Sequence, residues 1–157
     1  MLDRQLEVQR VIDSEQLPSD AQLQQWIEAA LCDYTQNAEV LIRIVDTEEI
    51  TELNQQYRHK SGATNILSFP LDMPEGVEGI DLLGDLVVCA AVLEREALEQ
   101  GKRLHDHWAH ITIHGVLHLL GYDHIEELEA NEMEAKEIEI LAQLHINNPY
   151  QEQETDV

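Results

Sequence analysis

Leu6 and Val8 alternate with polar neighbours in QLEVQRVI, the period-two pattern of a half-buried strand. LPSDAQ then supplies a proline and capping residues. Beyond it Leu23, Trp26, Ile27, Ala30, Leu31 and Tyr34 recur at three- and four-residue spacing, which predicts a helix over residues 20–34 with one inward face. EVLIRIV is a β-branched second strand, and Asp46 with Glu49 has the spacing of a capping box opening a helix that carries Ile50, Leu53 and Tyr57. RHKSGA breaks that helix. NILSF is a short strand closed by Pro70, residues 72–79 form a polar loop, DLLGDLVVCA is a further strand, and AAVLEREALEQG is a helix stopped by Gly101. Residues 105–120 make the most apolar helix, and residues 127–144 a last amphipathic one with Ala130, Met133, Ile140, Leu141 and Leu144 along its stripe. The order β-α-β-α-β-β-α-α-α predicts an α+β fold, a mixed sheet of about four strands packed with helices.

At 157 residues the chain suits one domain, placed at residues 1–147, followed by an acidic tail over residues 148–157 that is expected to be loose. The charged start MLDRQLEVQR lacks the apolar core of a secretory signal and no stretch reaches the length of a membrane span, so the expectation is a soluble, cytoplasmic protein with no membrane partner. Cys32 and Cys89 lie in separate apolar runs, which predicts buried, reduced thiols. Nine basic against 32 acidic residues give a formal charge of -23, which opposes a polyanionic partner. The distribution softens this. Ten acids and one base fall between Glu126 and Val157, whereas Arg58 with Lys60, and Lys102 with Arg103, form two basic clusters on either side of the segment that carries the chemistry.

That segment is HGVLHLLGYDH, of the form H-x-x-x-H-x-x-G-x-x-H. Histidines four apart on a helix share one face, so His114 and His118 can hold one ion. Gly121 can take the left-handed conformation that ends the helix, and the returning chain brings His124 beside the other two. Three imidazoles leave a fourth tetrahedral position of a zinc ion open to water, the arrangement of a catalytic site; zinc is favoured by ligand type and by common availability. The same spacing occurs in metzincin proteases, where a glutamate follows the first histidine as general base. Here that position is Gly115, so a peptidase mechanism lacks its base. His110, one turn before His114, would close the site to water as a fourth ligand, and a supporting or core role suits it better. Glu137 falls on the apolar stripe of the last helix, where a carboxylate needs a partner, and a zinc ligand would serve. Asp123 reads equally as an orienting or proton-carrying group and as a turn stabiliser, and Thr64, Asn65 and Ser68 equally as site residues and as turn and strand residues. His59, His105, His107 and His145 read as surface or packing residues.

HGVLHLLGYDH, together with YRHKSGATNILSFP and LLGDLVV, closely resembles the YbeY family of bacterial ribosomal RNA maturation factors, over residues 39–144 in order and spacing. The resemblance implies a zinc-dependent endoribonuclease that prefers single strands, helps mature the 3′ end of 16S rRNA and contributes to ribosome quality control. It carries one Zn2+ per chain onto His114, His118 and His124 and a catalytic role onto Arg58; read from the residues alone, Arg58 pairs with one of the many surface acids. The partners it implies are rRNA and the small ribosomal subunit or its proteins, with no DNA. Two other readings stand beside it: a metal-stabilised ribosome assembly factor without nuclease activity, and a hydrolase of a small phosphodiester or a peptide.

Overall fold

The computed structural model describes residues 4–34, 36–70, 82–122 and 127–150, with 127–129 described by backbone alone. The first strand, β1 (Arg4–Arg10), leads into α1 (Asp20–Ala30), whose N-terminus carries a complete capping box: the Ser19 hydroxyl accepts from the Gln22 amide and the Gln22 side chain accepts from the Ser19 amide. The helix is shorter than its periodicity predicts. It stops at Ala30 with Leu31 as C-cap, and the Tyr34 carbonyl accepts from the Arg4 guanidinium at 2.6 Å, although Tyr34 still packs on the core. Cys32 falls in the turn so created and is exposed, contrary to the expected burial, whereas Cys89 is buried.

After β2 (Ala38–Val45), α2 (Thr47–Arg58) is capped by the Asp46 side chain, which accepts from the Glu49 amide at 2.8 Å. The predicted capping box is only half used, because the Glu49 carboxylate is held by Arg43 at 2.6 Å. The chain continues through β3 (Ile66–Pro70), β4 (Leu82–Cys89), α3 (Ala90–Gln100), α4 (Leu104–Leu119) and α5 (Glu127–Gln143). Gly101 ends α3 with φ 64°, and Gly121 follows α4 with φ 102° as the amides of Gly121 and Tyr122 return to the carbonyls of His118 and Leu117.

The four strands lie in the order β1-β2-β4-β3, the first three parallel and the edge strand β3 antiparallel to β4. Val40, Ile42, Ile44, Leu86 and Val88 point to the face covered by α1 and α4, against which α5 packs in turn. Val45, Leu67, Val87 and Cys89 point to the other face, where Ile50 of α2 and Val92 of α3 cover them. The α+β class and the four-stranded mixed sheet are therefore as the sequence predicts. Helix α4 runs through the core with Trp108, Ile113, Val116 and Leu117 at most 1% exposed, and only His114 and His118 in its second half reach towards solvent. Among the described residues, no helix is long and apolar enough to cross a membrane.

Candidate active site

His114 and His118 lie one turn apart on α4, and their Nε2 atoms are 3.2 Å from each other. Two imidazoles on a tetrahedral zinc, each at 2.0–2.1 Å, would set their nitrogens about 3.3 Å apart, so this pair fits such an ion. The other ring nitrogen of His114 is committed. Its Nδ1 meets the carboxylate of Glu137, which is 0% exposed, and that partner fixes Nδ1 as the protonated nitrogen and leaves the Nε2 lone pair outward. Glu137, expected to support a site histidine, does bond to one.

Glu137 is also reached by His110 Nε2 at 3.3 Å and by the hydroxyl of Tyr150, which donates to the same carboxylate oxygen. Burial alone would raise the pKa of Glu137, but the hydrogen bonds from His110 and His114, the electrostatic pull of the His114 ring and the Tyr150 hydroxyl bring it down to about 2. Burial and the adjacent carboxylate push the Tyr150 phenol far above its ordinary range, so it remains a donor. Asn148 and Tyr150 thus belong to the packed structure, where the sequence suggested a loose tail from residue 148; the Tyr150 amide is in turn bonded to the Asn148 side chain at 2.8 Å.

The two histidines open onto a groove of about 780 Å3 along edge strand β3. Arg58, the last residue of α2, and Lys60 line it, together with Thr64, Asn65 and Ser68. Asn54, buried in α2, holds the intervening loop by donating to the Gly62 carbonyl at 2.9 Å. Among the described residues no carboxylate lines the groove or pairs with Arg58, so the expected surface ion pair is not formed there. The second basic cluster does not join the first: Lys102 lies half-buried near Glu96, its pKa lowered by burial, and neither it nor Arg103 lines the groove. His124 and Asp123, the third expected ligand and its neighbour, lie outside the described residues. Among those described, no group of three or more His, Cys, Asp or Glu side chains is placed to hold a metal.

Two connections were not legible in the sequence. His107, which reads from the sequence as a surface or packing residue, is buried and meets Glu96 at 3.0 Å, and Glu96 accepts from the groove residue Asn65 at 3.3 Å. Burial outweighs the carboxylate and lowers the His107 pKa, so its neutral Nε2–H donates to Glu96. The three residues between Leu93 and Ala97 are all charged, so the sequence does not single out Glu96. Tyr150 gave no local signal at all.

An α+β fold in which paired histidines on a core helix, backed by a buried carboxylate, face a groove with cationic walls is the framework of a hydrolase. The chain belongs to the YbeY endoribonuclease family: the family model described as Endoribonuclease YbeY matches residues 7–145. It is 56% identical over 152 residues to the Endoribonuclease YbeY of Pseudomonas putida, covering 97% of this chain and 96% of that protein. Against the protein of the same name from Pseudomonas fluorescens it is 54% identical over 151 residues, covering 96% and 99%. Among solved structures, the solution structure of TM1509 from Thermotoga maritima covers 98% of this chain and 99% of its own at 25% identity, with a TM-score of 0.57. The family expected from HGVLHLLGYDH is therefore the family found.

Proposed function

We propose that this chain is a zinc-dependent, single-strand-specific endoribonuclease that acts in the cytoplasm on rRNA of the small ribosomal subunit, in 16S rRNA 3′-end maturation and ribosome quality control. The observation that carries the reading is the 3.2 Å approach of the His114 and His118 Nε2 atoms at a groove that Arg58 and Lys60 also line. Family membership supplies the reaction class.

His114, His118 and His124 would hold one Zn2+, which supplies Lewis acidity and a water whose pKa falls to about 7. Glu137 keeps His114 in the tautomer that presents its Nε2 lone pair. Arg58 places a planar, permanently charged fork where it can bind a phosphodiester in two-point fashion and stabilise the charge that develops at phosphorus, and Lys60 adds a point charge. Asp123, next to His124, is assigned the orienting or proton-carrying role.

The formal charge of -23 favours one other reading, an assembly factor that binds the immature subunit without cutting it. Metal content by mass spectrometry and cleavage of a single-stranded rRNA fragment, each on wild type and His118→Ala, test both. One zinc per chain and RNA cutting, lost together in the variant, are expected. Zinc without cutting in the wild type would overturn the nuclease reading in favour of the assembly factor.

A further inference from the structure

Tyr57 stands two turns beyond Ile50, in the last turn of α2, and 57% of it is exposed. It is not loose there. Phe69, on edge strand β3, meets it edge to face, with ring centroids 5.2 Å apart and planes at 73°. Both rings line the groove that holds His114 and His118. An exposed tyrosine braced by a second ring is a preorganised flat surface beside a cationic wall.

We propose that Tyr57, braced by Phe69, is the stacking site for an unpaired nucleobase of the RNA strand, a proposal that rests on the endoribonuclease reading above. The neighbouring residue Arg58 and the nearby Lys60 supply the charge that tracks the strand's phosphates, and in a chain with 32 acidic residues the described lining of this groove contains none. The groove volume of about 780 Å3 falls among clefts that take a ligand of nucleotide size, about 300–1,000 Å3. Aromatic stacking tolerates any base, because every base has a π-face, but the base must be free of its own neighbours. In a duplex both faces of each base are occupied, so this site selects single strands by what it requires of the base.

The test is fluorescence anisotropy of a labelled single-stranded RNA 12-mer with the zinc-loaded chain, the oligomer being checked intact by gel after each titration. Wild type, Tyr57→Ala and Tyr57→Phe are compared, and the series is repeated with oligomers carrying one abasic position. Tyr57→Ala is expected to raise Kd about tenfold, Tyr57→Phe to restore binding within about twofold because the ring is kept, and an abasic position to weaken the wild type but cost Tyr57→Ala nothing further. Zinc content and melting temperature are expected to stay at wild-type values in both variants, which a merely structural role for the ring would not allow. Tyr57→Ala binding within twofold of wild type overturns the stacking site and leaves the nuclease reading standing. A wild-type chain that binds no RNA overturns both.

Discussion

Glu137→Gln changes one atom of a buried carboxylate, and the hydrogen-bond inventory around it fixes the consequence. All three partners are donors: His114 Nδ1 to one oxygen, His110 Nε2 and the Tyr150 hydroxyl to the other. A carboxylate accepts at both oxygens, whereas an amide must present an NH2 at one of them and so sets donor against donor. Left unrelieved, one buried unmatched group costs about 1–3 kcal/mol. Relief is available if the NH2 faces His114, because that ring can become an acceptor at Nδ1 by carrying its proton on Nε2 instead. The proton then lies on the atom 3.2 Å from His118 Nε2, where the proposed zinc site needs a lone pair. The two observables therefore trade against each other. A chain that relaxes keeps most of its stability and loses zinc affinity by about 10–100-fold, the range for partners of ligating histidines; a chain that does not relax loses the stability. Urea unfolding of zinc-free protein by circular dichroism measures the first quantity, and competition with a chromophoric chelator the second. Unchanged urea midpoint together with zinc affinity within twofold of wild type would refute the reasoning.

Glu137 also sets an acid limit on the zinc-free protein. Its folded pKa of about 2 lies below the ordinary 4.5, so its contribution is complete above pH 4.5 and disappears as pH falls from there to 2; the total is on the order of 3 kcal/mol, and stability that stays flat across that window in wild type, or falls equally in Glu137→Gln, would contradict it. Tyr150→Phe removes one donor to that carboxylate and keeps the ring; because Tyr150 is 44% exposed the expected loss is about 1 kcal/mol in urea unfolding, and no change would show that the hydroxyl bond is not formed in solution. Gly84→Ala should fold poorly, with a loss of about 3 kcal/mol or more read from thermal melts, since Gly84 has φ 150° and an added Cβ would lie 2.9 Å from Pro70 Cα and closer still to the Phe69 carbonyl oxygen, both backbone atoms that cannot step aside. Gly115→Ala meets side-chain tips instead, at 2.6 Å from Ile66 Cδ1 and 2.9 Å from Leu86 Cδ2; the helix propensity of alanine offsets about 1 kcal/mol of the strain, so the expected melt shift is small, and a loss as large as that of Gly84→Ala would refute the comparison.

What the sequence made legible is what local chemistry determines. Ser19 with Gln22, Asp46 before α2, Gly101 and Gly121 mark helix ends through bonds within a few residues, and His114 and His118 share a face because four residues make about one turn. The misread residues are those whose setting depends on distant chain. Glu49 satisfies a capping pattern and is claimed by Arg43 of the preceding strand instead. Tyr150 reaches back 13 residues to Glu137 and 40 to His110, across a turn that no periodicity records.

The glycine at position 115 links the fold to the chemistry. In metzincins the residue after the first histidine bears the general base. In this chain that position looks into the protein: a Cβ there would press on Ile66 of β3 and Leu86 of β4, and the Gly115 carbonyl faces the Ser68 hydroxyl at 3.4 Å. A glutamate at that position would be driven into the apolar layer between helix and sheet, where an unpaired carboxylate is costly. The lack of a side chain lets α4 lie directly on the edge strand, and that contact is what puts His114 and His118 at the mouth of a groove walled by β3. A glutamate at position 115 and the close approach of α4 to β3 exclude each other. The charge on the groove comes instead from the end of α2 and the loop after it, which supply Arg58 and Lys60. A site built this way meets its substrate with fixed positive charge instead of a helix-borne carboxylate, which suits an anionic backbone better than a peptide.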